Sequence, residues 1–102
     1  MNENTLTFIP TSDISNTNGL TYANGEQAWL HETRIGSIVD NSTAIQYWSY
    51  DIETKKLTVQ YRSSDTYYYY EEVPYTVIFE MMFADSLGAF IAKTIKPTYS
   101  VA

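Results

Sequence analysis

The residue types that usually carry out catalysis are scarce in this sequence. Its single histidine, His31, lies beside Glu32 in a polar stretch, and spacing alone assigns it no serine or aspartate partner. The absence of cysteine excludes a thiolate nucleophile, a thiolate metal site and a disulfide. Neither the neighbours Glu71 and Glu72 nor Asp85 has metal-ligand spacing, and there is no glycine-rich phosphate loop. We therefore expect no enzyme, no metal and no cofactor.

Aromatic and basic residues point to binding instead. Four tyrosines run from Tyr67 to Tyr70, and the alternation of a strand puts one pair against the helices and displays the other. A displayed tyrosine ring can stack on a base, which is worth roughly 1–3 kcal/mol per base. A few positive groups beside such rings suit a small phosphorylated ligand. The predicted stacking residues are Tyr68, Tyr70 and Phe90, and the predicted charged contacts are Arg62 and Lys96.

Two other interpretations stay open. Tyr68 and Tyr70 can be packing residues, with Lys96 a solvated helix end that interacts favourably with the helix dipole. Alternatively, the apolar helix that follows the tyrosines is a protein-interaction surface, because methionine side chains adapt to varied partners. For this second case the predicted interface residues are Phe79, Met82 and Phe83, and the expected assembly is a homo-oligomer or a complex with a blocked host protein.

The amino-acid composition narrows the classes of partner that the protein can bind. The 102 residues make one domain that is large enough for a core, and 16% of them are aromatic, including ten tyrosines. The net charge of −6 opposes the clustered-cation binding that long nucleic acids and anionic membranes need. The N-terminus lacks a basic region followed by an apolar one, and no apolar run approaches about 20 residues. We expect a cytoplasmic protein that binds neither membrane nor long nucleic acid.

The periodicity predicts an α+β fold. Two β-patterned runs flank the polar turn at residues 51–56, and a second turn at residues 63–65 leads into the tyrosines. Pro74 suits a helix start, and Val77, Ile78, Met81 and Met82 form a core-facing stripe. We predict an antiparallel meander of three or more strands, Ala44–Tyr50, Leu57–Ser63 and Thr66–Tyr70, packed against two C-terminal helices, Tyr75–Ala84 and Leu87–Ile95.

The first 36 residues are predicted to be a polar, partly ordered N-terminal extension. It contains the turn signals Asn18-Gly19 and Asn24-Gly25 and the possible strands Leu6–Ile9 and Gln27–His31. We expect it to add strand to a sheet edge, on its own chain or on a neighbouring subunit, with a flexible polar arm as the alternative. Gly36 is a plausible hinge between this extension and the rest.

One combination of motifs resembles a known family. Tyr68-Tyr69-Tyr70, then Val73-Pro74, then Ala84, Ser86 and Gly88 followed by Ile95-Lys96 and Tyr99, is similar to the KTSC domain. This family is named for the C-terminal domain of some lysyl-tRNA synthetases and also occurs as free-standing bacterial and phage proteins. The resemblance covers roughly residues 38–101 and suggests residues 1–36 as an extension and 37–102 as the domain.

The resemblance implies a binding surface more than a reaction. It adds Tyr99 to the predicted ligand site and suggests RNA binding, which we rank third because of the acidic charge. Ala92 stands where the family usually has asparagine, so an amide that would contact a ligand is missing. We expect first a non-enzymatic module for a nucleotide-like ligand, in a phage setting one that sequesters a signalling nucleotide, and second a protein-interaction module.

Overall fold

The fold is an antiparallel meander covered on one face by helices. The computed structural model describes residues 20–99. Six strands follow one another in a single sheet in the order of the chain: β1 (Leu20–Tyr22), β2 (Glu26–His31), β3 (Arg34–Ile38), β4 (Ile45–Asp51), β5 (Lys56–Tyr61) and β6 (Tyr67–Tyr70). Two helices follow, α1 (Tyr75–Met82) and α2 (Leu87–Phe90), the second continued by a π-helical turn, Ile91–Ile95. The predicted α+β class, sheet and two C-terminal helices are confirmed.

The turn between β4 and β5 explains why the central hairpin forms where the sequence predicts it. The Asp51 side chain accepts hydrogen bonds from the backbone N–H groups of Glu53 at 2.9 Å and Thr54 at 3.3 Å. Lys55 then adopts a left-handed backbone with φ of 61°, and its N–H bonds to the Asp51 carbonyl at 2.7 Å. The turn thus satisfies its own backbone groups, which fixes the register of the two longest neighbouring strands.

Residues 20–38 belong to the same sheet as the rest of the chain. A 3₁₀ turn at Ala23–Gly25 joins β1 to β2, and Gly25 supplies the positive φ of 76° that the predicted Asn-Gly turn needs. The predicted strand Gln27–His31 is confirmed as part of β2, whereas Asn18-Gly19 and Leu6–Ile9 lie outside the described residues. The described part of the extension, residues 20–36, therefore adds strands to an edge of its own sheet, which is one of the two strand arrangements predicted.

Gly36 is not a hinge, and the prediction that it separates an arm from the core is wrong. It lies in the middle of β3 and pairs with Trp29 on one side and Ser49 on the other. A Cβ atom at this position would lie 2.4 Å from Cζ2 of Trp29 and 2.9 Å from the carbonyl oxygen of Trp48. Glycine is present because the indole of Trp29 lies directly over the backbone of β3.

The core lies between the helices and one face of the sheet. Trp48 and Tyr50 of β4, Leu57 and Val59 of β5 and Tyr70 of β6 point to this side and are buried. The helices contribute the apolar residues that cover them: Ile78, Met81, Met82, Leu87, Ile91 and Ile95. The predicted stripe on α1 therefore faces inward, while Phe79 and Phe83 lie on its exposed side.

The helix boundaries differ slightly from those predicted. Pro74 precedes α1 with an extended backbone, and the helix ends at Met82 because Phe83 leaves helical geometry with φ of −105° and ψ of 10°. Ser86 caps α2 by accepting a hydrogen bond from the N–H of Ala89 at 3.2 Å. Only four residues of α2 are α-helical; the wider π turn that follows buries both Ile91 and Ile95. No helix within residues 20–99 is long and apolar enough to cross a bilayer.

Candidate functional site

A cavity of about 370 Å³ lies where β5 and β6 meet the end of the last helical turn. We call it the tyrosine cavity. Three of the predicted ligand residues line it, Tyr68, Tyr70 and Lys96, although Lys96 is distant from the other two in the sequence. The remaining lining residues are Tyr61, Ser63 and Ser64. The structure thus brings half of the predicted set together.

Strand pairing positions the tyrosines of the cavity. Val59 pairs with Tyr68, and Leu57 pairs with Tyr70, so both tyrosines share the face of the buried β5 residues. Tyr61, two residues after Val59, points the same way. The rings of Tyr61 and Tyr68 meet edge to face with centroids 5.4 Å apart, an arrangement that aromatic pairs favour.

The two tyrosines of β6 that line the cavity, Tyr68 and Tyr70, differ in their exposure. Only 1% of Tyr70 is exposed, so its ring belongs to the core and is closed to stacking on a ligand. Its hydroxyl group lies 3.0 Å from that of Tyr61. Tyr68 is half-buried, and its ring remains a partly open wall of the cavity. Of the two tyrosines predicted to stack, only Tyr68 therefore retains accessible ring surface.

Burial raises the pKa of Tyr61 well above the usual value for tyrosine, and the hydrogen bond to Tyr70 shifts that pKa in the same direction. The nearby hydroxyl groups of Tyr70 and Tyr68 add a smaller effect of the same sign. The Tyr61 hydroxyl is therefore protonated at neutral pH and able to donate a hydrogen bond. The cavity combines protonated hydroxyl groups with the single ammonium group of Lys96, which suits a small anionic ligand.

Arg62 does not reach the cavity. Its guanidinium group donates hydrogen bonds to two backbone carbonyl oxygens of the loop between β3 and β4, those of Ser42 at 2.6 Å and Val39 at 2.5 Å. The residue follows Tyr61 directly, so strand alternation turns its side chain away from the tyrosines. Arg62 ties this loop to the end of β5, which is a structural role.

Phe90 and Tyr99 also lie apart from the tyrosine cavity. Both are half-buried and pack against the hydrophobic core. Tyr99 comes near enough to Tyr50 to contribute to the raised pKa of the latter, after the larger effect of burial and that of Asp51. The Tyr50 hydroxyl itself donates to the Val73 carbonyl at 2.5 Å, which secures the residue before Pro74. Tyr50 thus holds the start of α1, and Tyr99 packs the segment after the last helical turn against the same core.

Sequence reasoning missed Tyr61, Ser63 and Ser64 as cavity residues. A signal for Tyr61 was present, since alternation along β5 puts it on the face of Leu57 and Val59, whose partners on β6 are Tyr70 and Tyr68. The two serines were assigned only to the turn. Their hydroxyl groups lie at the cavity because the loop from β5 to β6 passes beside Lys96.

The three predicted interface residues line a second concavity, an apolar groove of about 480 Å³ between α1 and the first strands. Phe79 and Phe83 are exposed on its rim, together with Tyr75 and Ile52. Met82 differs from the prediction because only 5% of it is exposed, so it forms the floor of the groove and not its surface.

Among residues 20–99 there is no cluster of three or more His, Cys, Asp or Glu residues that would hold a metal ion.

Comparisons with known proteins agree with the motifs. The family model of the KTSC domain matches residues 41–99, more than half of the chain. A crystal structure of a KTSC domain protein from Yersinia pestis is similar, with a TM-score of 0.61 and 28% identity, covering 68% of this chain and 94% of that one. No curated protein matches the chain significantly. The matched span contains every residue of the tyrosine cavity, and the chain belongs to the KTSC domain family.

Proposed function

We propose that the protein is a non-enzymatic binding module that takes a small phosphorylated, nucleotide-like ligand in the tyrosine cavity. The observation that carries this proposal is the meeting of Tyr68, Tyr70 and Lys96 at one cavity, together with the hydroxyl groups of Ser63 and Ser64. Three kinds of group can serve an anionic ligand: the lysine by charge, the serines by hydrogen bonds and the Tyr68 ring by apolar contact, while the buried Tyr70 supports the wall behind it.

The size and charge of the cavity favour a small ligand. Its volume lies at the lower end of the range of roughly 300–1,000 Å³ typical of small-molecule sites. Lys96 provides one positive charge there, which is enough for a single phosphate, while Arg62 is engaged with backbone carbonyls. Because the protein carries a net charge of −6, binding of long RNA is the least favoured of the three functions considered. Sequestration of a signalling nucleotide, as in a phage protein, is a use that fits binding without catalysis.

A thermal-melt screen tests the proposal. The probes are nucleoside monophosphates, cyclic dinucleotides and ADP-ribose, each in excess. A ligand at about 100 times its dissociation constant stabilises the fold by roughly 2.7 kcal/mol, which raises the Tm of a domain of this size by about 10 °C or more. We expect such a shift for one probe class. A flat screen across all probes contradicts the proposal.

Two lysine variants locate the site. Lys96→Ala removes the cation at the cavity and should abolish the shift. Lys93→Ala is the matched control, because Lys93 is exposed on the same helical turn and does not line the cavity. Retained affinity in Lys96→Ala removes the tyrosine cavity as the binding site, whichever probe binds.

A second candidate function is protein interaction through the apolar groove. Phe79 and Phe83 are 52% and 67% exposed beside Tyr75 and Ile52, a concentration of large apolar side chains that marks contact surfaces. A second copy of the chain is the partner we propose, with the two grooves facing each other. Light scattering should then give a dimer mass that falls to a monomer mass in Phe79→Ser and Phe83→Ser, but not in the control Tyr69→Ser, which lies on the other sheet face. A monomer at all concentrations rejects this candidate.

A further inference from the structure

The sheet face opposite the helices carries a second arrangement of tyrosines. We call it the open face. Strand register places two rows of residues side by side across it, Gly36–Ser49–Thr58–Tyr69 and Ile38–Tyr47–Gln60–Tyr67. The first row has small side chains up to Tyr69, and the second places Gln60 between Tyr47 and Tyr67. A depression of about 480 Å³ results, with Tyr47, Tyr67 and Tyr69 as walls.

The walls offer accessible ring surface. Tyr67 is 47% exposed and Tyr69 is 39% exposed, which makes them the displayed pair of the tetrad. Tyr47 meets Tyr67 at an interplanar angle of 89° with centroids 6.0 Å apart, so two differently oriented rings border the same space. The Lys56 ammonium lies 5.6 Å from the Tyr69 ring centroid, a cation–π contact that helps to hold the ring in place.

The centre of the depression consists of polar groups in fixed positions. The Ser49 hydroxyl accepts a hydrogen bond from Arg34 Nη2 at 3.4 Å. The Gln60 amide is held at both ends, since its oxygen accepts from Gln46 Nε2 at 3.0 Å and its nitrogen donates to the Asp65 carbonyl at 3.2 Å. Ser49 and Gln60 are themselves buried, and Thr58 lies between Ser49 and Tyr69. The floor is therefore preorganised for hydrogen bonding and not for apolar contact.

The charges of the residues that line the depression narrow the classes of ligand that can bind there. Among the described residues that line the depression, none is acidic and Arg34 alone is basic. The Arg34 guanidinium lies 5.9 Å from the Trp29 ring centroid and also reaches Ser49, so it is already engaged. A nucleic-acid strand needs several phosphate contacts from Lys and Arg, and a protein of net charge −6 repels it. An apolar partner would offer no hydrogen bond to the polar side chains that line the depression, such as Thr58 and Gln46, so its binding there is unfavourable.

A neutral ligand rich in hydroxyl groups fits both the walls and the floor. We propose that the open face binds a neutral oligosaccharide. The apolar C–H face of a sugar ring packs on Tyr67 and Tyr69, and the sugar hydroxyl groups bond to the Thr58 hydroxyl and the amide of Gln46. The volume holds a short stretch of sugar units within the range of small-molecule sites. This site lies on the opposite side of the sheet from the tyrosine cavity and is independent of the function proposed there.

Calorimetry of the full chain with neutral hexasaccharides tests this inference. The probes are hexamers of α-1,4-glucose, β-1,4-glucose and β-1,4-N-acetylglucosamine, with a uronic-acid hexamer and hexauridylate as anionic comparisons. We expect one neutral hexamer to bind, with Tyr67→Ala and Tyr69→Ala each weakening it at least tenfold. Tyr75→Ala is the control, since Tyr75 is even more exposed but lies on α1. Because Tyr67 and Tyr69 are exposed, their variants should keep the wild-type Tm.

Three results overturn the inference. The first is no binding of any neutral hexamer at millimolar concentration, and the second is tighter binding of the uronic-acid hexamer or of hexauridylate. The third is saccharide binding that survives both Tyr67→Ala and Tyr69→Ala. Lys96→Ala distinguishes the two sites, because it should remove nucleotide binding at the tyrosine cavity and leave saccharide binding at the open face unchanged. A failed prediction for one site therefore does not decide the other.

Discussion

The hydroxyl groups of Tyr61 and Tyr70 lie 3.0 Å apart, a hydrogen bond between neighbouring strands at the boundary of the core and the tyrosine cavity. Only 1% of Tyr70 is exposed, whereas Tyr61 is half-buried. The pair orients the Tyr61 ring, which in turn contacts Tyr68 edge to face. The wall of the cavity is thus fixed by a bond that reaches into the core.

Removal of one hydroxyl group from this pair should destabilise the protein more than removal of both. Tyr61→Phe leaves the buried Tyr70 hydroxyl without this partner, which costs about 1–3 kcal/mol, whereas the double variant with Tyr70→Phe leaves neither group behind. Urea unfolding of the two single variants and the double variant measures the coupling free energy, expected at about 1 kcal/mol. Strictly additive losses would show that the two hydroxyl groups do not interact.

The stability of the protein should fall at alkaline pH. Burial raises the pKa values of Tyr22, Tyr50 and Tyr61 above 10.0, the ordinary value for tyrosine, which also describes the unfolded chain. Above that pH the unfolded state loses protons that the folded state keeps, so the free energy of unfolding decreases as pH rises. Below it, these three groups are protonated in both states and contribute no pH dependence.

Denaturant unfolding between about pH 9 and pH 11.5 measures this effect. The free energy of unfolding should be level near pH 9 and decline above about pH 10. Tyr61→Phe should reduce the slope of the decline, because phenylalanine has no proton to lose. A slope that is the same in wild type, Tyr61→Phe and Tyr50→Phe would mean that other groups cause the alkaline loss.

Gly36→Ala should be strongly destabilising, although alanine is the smallest possible addition. The new methyl group would lie 2.4 Å from Trp29 Cζ2 and 2.9 Å from the Trp48 carbonyl oxygen, so both the indole and β4 must shift. Overpacking of this kind costs about 1–3 kcal/mol. Chemical denaturation measures the loss, and the same Gly36→Ala substitution made in Trp29→Ala should cost less, by the part due to the indole clash. If Gly36→Ala has wild-type stability, the indole does not lie over β3.

Arg62→Ala should lower stability without abolishing ligand binding at the tyrosine cavity. The guanidinium group makes two charge-assisted hydrogen bonds to the loop between β3 and β4, and bonds of this kind are worth about 1.5–3 kcal/mol before allowance for their exposure to water. Arg62→Lys should not restore the loss, because an ammonium group lacks the forked geometry. Equilibrium unfolding and the nucleotide melt shift are the two measurements. Loss of the shift at unchanged stability would return Arg62 to the ligand site.

Local patterns in the sequence were sufficient for the elements near the centre of the chain. The polar run from Asp51 to Lys56 predicts a hairpin because its side chains satisfy the backbone of the turn locally. The stripe from Val77 to Met82 predicts a helix with an inward face because helical periodicity is fixed by geometry. Alternation along β6 likewise divides the tyrosine tetrad into two pairs without any tertiary information.

Tertiary packing decided which face each pair occupies and what it meets there. Tyr70 lies in the core and Tyr69 on the open face because the helices cover one side of the sheet, a choice that the tetrad itself does not contain. Lys96 lines the same cavity as Tyr68, and Arg62 bonds to Ser42 instead, because of contacts between segments far apart in the chain. The sequence by itself determined the strands, turns and helical stripe, since these depend on neighbours along the chain. The cavity, the open face and the six-stranded sheet depend on long-range contacts, so only the tertiary structure decided them.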